Sequence, residues 1–86
     1  MNTPKLELYK FDSCPFCLRV MSLIESLNLK VEMRDIMHNR EDLQKLVSDT
    51  GKRTVPCLYI DGAPMFESSD IMAWLQENSD NLLKNS

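Results

Sequence analysis

Two cysteines separated by two residues, in the segment Cys14-Pro15-Phe16-Cys17, constrain this chain more than any other feature. An apolar run over residues 6–11 precedes them, and apolar residues at helical spacing follow them. The pair therefore stands at a turn from a strand into a helix, where backbone amides are unpaired and the helix dipole is positive. This position favours the anionic form of the Cys14 sulfur, which is the form that attacks disulfides. The spacing also lets Cys17 close a disulfide with Cys14, as a reversible dithiol switch requires.

Length and composition restrict the class of protein. At 86 residues the chain is expected to form a single domain over residues 1–86. Ten basic and thirteen acidic side chains give a net charge of -3 without a basic run, so no nucleic-acid partner is expected. The sequence predicts no apolar leader and no membrane span, which favours a cytoplasmic protein without a membrane partner. Three cysteines, an odd number, fit a reducing compartment.

Periodicity predicts the element order β-α-β-α-β-β-α. The predicted strands cover residues 6–11, 30–36, 57–60 and 63–66, and the first two helices cover residues 15–27 and 40–48. The helical crossover between the first two strands implies that they are parallel. The Asp61-Gly62 pair favours a hairpin turn, and Pro64 confines the last strand to a sheet edge. Ser68, Ser69 or Asp70 is expected to cap the third helix.

With these elements in this order, the chain resembles a glutaredoxin over residues 6–78. Three segments carry the resemblance, namely Cys14-Pro15-Phe16-Cys17, Thr50-Gly51-Lys52-Arg53-Thr54-Val55-Pro56, and Asp61-Gly62 followed by Glu67-Ser68-Ser69-Asp70. The Glu67 segment is more similar to the glutathione-binding half of glutathione transferases. The resemblance implies an α/β, thioredoxin-like fold with a four-stranded mixed sheet flanked by three helices.

The same resemblance implies a glutathione-dependent thiol-disulfide oxidoreductase that reduces glutathione mixed disulfides, protein disulfides or both. Cys14 is then the nucleophile and Cys17 the resolving thiol. Glutathione is the expected co-substrate, with no tightly bound cofactor and no metal. The expected partners are glutathione and glutathionylated or disulfide-containing proteins. The protein itself is expected to be a monomer.

Residues from four segments are predicted to contact glutathione. Pro56 is similar to the cis-proline of thioredoxin-like folds, which leaves the Val55 backbone to pair with the peptide. Helix amides at Ser69 and Asp70 are expected to hold a glutathione carboxylate. The full predicted set is Lys10, Phe16, Arg53, Thr54, Val55, Pro56, Glu67, Ser68, Ser69 and Asp70.

Three alternatives stay open at this point. The first is an iron-sulfur carrier in which Cys14 and glutathione hold a cluster between two chains, although the rigid Pro15 beside that sulfur argues against it. The second is a noncatalytic glutathione-binding module, suggested by the transferase-like segment. The third is a zinc site drawn from Cys14, Cys17, Cys57 and His38, which is disfavoured because one pair alone has finger-like spacing.

Overall fold

Four strands form one sheet with helices on both of its faces. The structure is a computed structural model that describes residues 3–85. Its elements are β1 (Leu6–Lys10), α1 (Pro15–Ser26), β2 (Glu32–Asp35), α2 (Arg40–Thr50), β3 (Cys57–Ile60), β4 (Ala63–Met65) and α3 (Ser68–Asn78), followed by a 3₁₀ turn at Ser79–Asn81. The predicted element order and the thioredoxin-like fold are confirmed. None of the helices within residues 3–85 has the length and apolar character needed to cross a bilayer.

The sheet has the strand order β2-β1-β3-β4. β1 pairs in parallel with β2 and antiparallel with β3, so it is a central strand, as its apolar residues on both faces predict. β4 pairs with β3 and forms one edge, where Pro64 lies opposite Tyr59. An edge position suits proline, which has no N–H to donate to a further strand.

Alternation along the central strands divides the core between the two faces of the sheet. Successive strand residues point to opposite faces, so Leu8 and Tyr9 belong to different clusters. The first cluster joins the sheet to α1 and α3 through the buried residues Leu6, Leu8, Val20, Ile24, Leu29, Leu58, Ile71, Leu75 and Leu82. The second joins it to α2 through Tyr9, Ile36, Leu46, Cys57 and Tyr59. The two thiols of the CPFC motif thus lie at the start of α1, on the face of the sheet that α1 shares with α3.

The predicted elements differ from the structure most at three places, and β1, α1, β2 and β4 also end one residue earlier than predicted. β2 begins at Glu32 rather than Lys30, because the Lys30 N–H donates to the Leu83 carbonyl in the C-terminal segment at 2.9 Å. α2 continues to Thr50, where Gly51 ends it in the left-handed conformation at φ 77°. α3 begins at Ser68 with Glu67 as its N-cap, and no side chain caps it.

Candidate active site

Cys14 is the N-cap of α1. Its backbone is extended, with φ -86° and ψ 114°, and Pro15 occupies the first turn of the helix, where its missing N–H costs nothing. The Cys17 N–H donates to Cys14 Sγ at 3.4 Å, and the Leu18 N–H donates to the Cys14 carbonyl at 3.0 Å. The sulfur therefore occupies the place of a capping oxygen, next to the positive end of the helix dipole. This is the location that the sequence predicts for the nucleophile.

Cys17 lies one turn further into the protein. It is fully buried, whereas 6% of Cys14 is exposed, and both residues are free thiols. Burial raises the pKa of Cys17, and its hydrogen bond to the Cys14 sulfur raises it further. The proton consequently stays on Cys17 near neutral pH.

An open groove of about 270 Å³ lies beside this helix start. It is lined by residues of three segments, namely Phe16 from α1, Thr54, Val55 and Pro56 from the loop before β3, and Glu67 and Ser68 at the start of α3. The fold thus gathers six members of the predicted glutathione-binding set around one cavity. Lys10, Arg53, Ser69 and Asp70 do not line it. Arg53 instead lines a separate cavity with Leu43 and Val47 of α2.

The loop before β3 offers backbone groups to the groove. The Val55–Pro56 peptide bond is cis, as the sequence predicts. Pro56 is buried, Val55 is half-buried and Thr54 is exposed, so the loop covers the core with its proline. Within residues 3–85, no backbone hydrogen bond uses the Val55 N–H or carbonyl. These two groups are therefore available to pair with an extended peptide.

Glu67 forms the turn into α3 with an unusual backbone. Its φ is 71° and its ψ is 115°, a conformation that is uncommon for a residue with a side chain. The Glu67 side chain is exposed and lines the groove, while Ser69 and Asp70 lie in the first turn of α3. This turn therefore brings a carboxylate and helix amides to one end of the groove.

Lys10 lies outside the groove, in an ion-pair network at the end of β1. Its ammonium group is 2.7 Å from Asp12 Oδ1 and 3.4 Å from Asp35 Oδ2, and the residue is 8% exposed. The hydrogen bond to Asp12 raises the pKa of Lys10 more than burial lowers it. His38 Nδ1 lies 2.9 Å from Asp35 Oδ2 on the outer side. The network ties the loop that carries Cys14 to the end of β2.

The chain matches the family described as "Glutathione S-transferase, N-terminal domain" over residues 8–82. The chain belongs to this family. The matched region includes the CPFC motif, the Val55–Pro56 loop and the Glu67 turn.

The chain is similar in sequence to curated proteins and in fold to solved structures. It is similar to "Glutaredoxin-C4, chloroplastic" of Oryza sativa subsp. japonica, with 40% identity over 63 residues. That alignment covers 70% of this chain and 47% of the rice protein, so the chain spans about half of that relative. An epsilon-class glutathione S-transferase from the housefly Musca domestica superposes with a TM-score of 0.72 and 29% identity, covering 87% of this chain and 35% of that one. The buckwheat glutaredoxin–glutathione complex superposes with a TM-score of 0.70 and 22% identity, and the superposition covers 88% of this chain and 72% of the buckwheat chain.

These matches confirm the resemblance to glutaredoxins, a family of thiol-disulfide oxidoreductases. The transferase match also agrees with the character of the Glu67 segment.

Sequence reasoning missed two cation–aromatic pairs, one on the groove residue Phe16 and one on Phe66, which precedes Glu67. The Arg19 guanidinium carbon lies 5.9 Å from the centroid of the Phe16 ring, and Lys52 Nζ lies 4.3 Å from that of Phe66. The first pair has a sequence signal, because residues three apart share a helix face. The second joins residues fourteen positions apart on different segments, and no local pattern indicates it.

The residues of the zinc alternative are not gathered. In the part of the chain that the structure describes, no three His, Cys, Asp or Glu side chains form a metal-binding group. Cys57 is fully buried in the second core cluster beside Tyr9 and Tyr59, on the face covered by α2. It packs as a small apolar residue.

Proposed function

We propose that this protein reduces glutathione mixed disulfides, with Cys14 as the nucleophile and glutathione as the co-substrate. One observation carries the proposal, namely that Cys14 Sγ caps the helix whose first turn supplies Phe16 to a groove shared with the Val55–Pro56 loop and the Glu67 turn. Membership of the family and the similarity to rice glutaredoxin-C4 support a thiol-disulfide oxidoreductase. The buckwheat protein of the same fold is known in complex with glutathione.

In the first step, the Cys14 thiolate attacks the glutathione sulfur of a mixed disulfide. The substrate S–S bond breaks as the Cys14–glutathione bond forms, and the electron pair leaves on the substrate sulfur, which takes a proton from water. The amide that donates to Cys14 Sγ before the attack holds this sulfur at the helix start.

In the second step, the thiolate of another glutathione attacks the glutathione sulfur bound to Cys14. Oxidised glutathione leaves, and Cys14 regains its thiolate. Cys17 offers an internal route, in which its thiolate attacks the Cys14 sulfur, reduced glutathione leaves, and a Cys14–Cys17 disulfide forms. Two further glutathione molecules then reduce that disulfide and leave as oxidised glutathione. Burial raises the pKa of Cys17, which lowers the fraction of its attacking thiolate near neutral pH.

The groove suits an extended tripeptide. The Val55 N–H and carbonyl pair with the cysteine portion, in the manner of an added strand. The amides at the start of α3 receive the γ-glutamyl carboxylate, and Glu67 receives the adjacent ammonium group. Arg53 and Lys10 lie outside the groove, so the proposal assigns them no contact with this ligand. A reducing compartment suits this cycle, and we propose the cytoplasm as that compartment.

The test is glutathione-dependent turnover of the mixed disulfide between glutathione and 2-mercaptoethanol, in the parent, Cys14→Ser and Cys17→Ser. We expect Cys14→Ser to fall to the uncatalysed rate and Cys17→Ser to stay active. Serine is a good N-cap, so Cys14→Ser keeps its fold and its loss is chemical. Cys57→Ser is the matched control, because it removes a thiol outside the groove.

Other results would replace the proposal. Glutathione binding by an inert parent, retained in Cys14→Ser, indicates a noncatalytic binding module. Brown colour after anaerobic purification, lost in Cys14→Ser, indicates the cluster carrier. Equal turnover by the parent and Cys14→Ser removes Cys14 from the chemistry.

A further inference from the structure

The helix that begins at Cys14 presents large side chains to solvent next to the reactive sulfur. Phe16 is 55% exposed and Leu18 is 49% exposed, although both have apolar side chains that most proteins bury. The exposed Arg19 holds its guanidinium group against the Phe16 ring at 5.9 Å. An exposed aromatic ring paired with arginine is a combination enriched where proteins bind partners.

This surface extends beyond the glutathione groove. Phe16 lines the groove, whereas Leu18 and Arg19 do not. When glutathione fills the groove, the other half of the mixed disulfide must leave on the open side of the sulfur, because the groove is taken. We call Phe16 and Arg19, which lie three residues apart on one side of α1, the α1 patch.

The charge of the α1 patch is positive. Among residues 3–85, no carboxylate lies within ion-pair distance of Arg19, and the first turn of α1 contains no acidic residue. The carboxylate of Asp12, in the loop before Cys14, is paired with Lys10. The positive end of the α1 dipole adds to the charge of Arg19. A chain with a net charge of -3 thus carries a local cation on the helix that begins at Cys14.

We propose that the α1 patch binds the protein half of a glutathionylated substrate and prefers an acidic side chain next to the modified cysteine. This inference rests on the proposed function. The guanidinium group donates two parallel hydrogen bonds to a carboxylate, and the Phe16 ring packs against the neighbouring apolar surface. The Cys14 thiolate attacks the glutathione sulfur, and the electron pair leaves on the peptide cysteine, which takes a proton from water.

The experiment compares three glutathionylated peptides of one length, with two glutamates, two glutamines or two lysines flanking the cysteine. For the parent we expect kcat/KM to be about three- to fivefold higher for the glutamate peptide than for the lysine peptide at low salt, a size typical of an exposed ion pair. Higher salt reduces the ratio, because it screens exposed charges. We expect Arg19→Glu to invert the preference and Arg19→Gln to abolish it.

The ratio between peptides is the readout, because it cancels any change in the reactivity of Cys14. Lys30→Glu is the matched control, since Lys30 is exposed and precedes β2 at the opposite end of the sheet, yet the charge change is the same. Equal rates for the three peptides in the parent, or an unchanged preference in Arg19→Glu, would overturn the inference. The 2-mercaptoethanol mixed disulfide serves as a fourth substrate, and its turnover reports on the proposed function alone.

A binding measurement keeps the inference testable without turnover. Fluorescence anisotropy of the labelled glutamate and lysine peptides with Cys14→Ser gives the preference directly. Tighter binding of the glutamate peptide than of the lysine peptide supports the α1 patch, provided that the double variant Cys14→Ser/Arg19→Gln binds both peptides equally. Equal affinity for both peptides rejects it, even if the protein proves to be a catalyst.

Discussion

At the scale of single residues, Asp35 shows how one carboxylate joins two loops beside the site. Its Oδ2 accepts from Lys10 at 3.4 Å and lies 2.9 Å from His38 Nδ1, while its Oδ1 accepts from the Met37 N–H at 2.9 Å. Burial opposes ionisation, but the hydrogen bonds from His38 and Met37 outweigh it and lower the pKa of Asp35 to about 2. A lowered pKa stabilises the fold above the ordinary carboxyl value of about 3.9, and this contribution is lost as the pH falls through about 2.

We therefore expect Asp35→Asn to lower the free energy of unfolding by about 1–2 kcal/mol at pH 7. The same variant should show a weaker loss of stability between about pH 4 and pH 2 than the parent. Urea unfolding across this range measures both effects. Asp80→Asn is the control, because Asp80 is exposed in the 3₁₀ turn. Parallel curves for Asp35→Asn and the parent would show that the Asp35 contacts contribute no pH-dependent stability.

Glu67 combines a strained backbone with a carboxylate in the groove, and two substitutions separate these properties. Glycine adopts a φ of 71° without a steric penalty, so we expect Glu67→Gly to be as stable as the parent or up to about 1 kcal/mol more stable. Glu67→Gln keeps the strain and removes the charge. Both variants should bind glutathione more weakly, as titration calorimetry would show. Unchanged affinity in Glu67→Gln would mean that the carboxylate does not meet the ligand.

At the scale of elements, the caps of α2 are local and can be read from the sequence. Asn39 Oδ1 accepts from the Asp42 N–H at 3.2 Å, and Gly51 ends the helix at φ 77°. Replacing Asn39 with alanine should cost about 1 kcal/mol of stability, whereas Asn39→Asp should cost little, because aspartate also caps helices. Thermal unfolding compares the two variants. A loss of equal size in both would point to a role other than capping.

The elements that the sequence predicts well are those with local causes. Helical spacing after Cys14 and alternation in β1 identify α1 and the central strand, and family resemblance identifies the Val55–Pro56 loop. Contacts distant in sequence account for part of what it misses. The pairing of Lys30 with Leu83 shortens β2, and Asp35, together with the neighbouring Asp12, holds Lys10 away from the groove. The left-handed backbone of Glu67 has no signal in its side chain, since glycine is the usual residue there.

At the scale of the whole molecule, the face of the sheet under α2 carries buried groups that must stay neutral. Burial raises the pKa of Cys57 to about 11 and is the main cause that raises the pKa of Tyr9 to about 12, and it also raises that of Tyr59. The Tyr9 and Tyr59 rings lie against each other with centroids 4.6 Å apart. A raised pKa stabilises the fold fully below the ordinary thiol value of about 8.5, and the contribution disappears as the pH rises through about 11.

The free energy of unfolding should accordingly fall between about pH 9 and pH 11. In Cys57→Ala we expect this free energy, measured by urea unfolding, to fall by about 2 kcal/mol less than in the parent over that range. Leu46→Ala is the matched control, because it opens the same cluster without removing a titrating group. Leu46→Ala should lower the free energy of unfolding by a similar amount at every pH, so that its dependence on pH stays the same as in the parent. If Cys57→Ala also keeps that slope, the alkaline loss arises from groups other than Cys57.

The cap at the start of α1 couples folding to redox state through a thermodynamic cycle. Under the proposed function, the sulfur that accepts from the Cys17 amide is the same sulfur that receives glutathione. A disulfide sulfur is a weaker acceptor than a thiolate, so the first turn of α1 is held less firmly in the glutathionylated protein. Whatever free energy the thiolate form adds to the fold, relative to the mixed disulfide, it adds equally to the equilibrium for transfer of glutathione from Cys14 to another thiol. A substitution that removes this stabilisation at the start of α1 would therefore make the protein a weaker donor of glutathione at equilibrium.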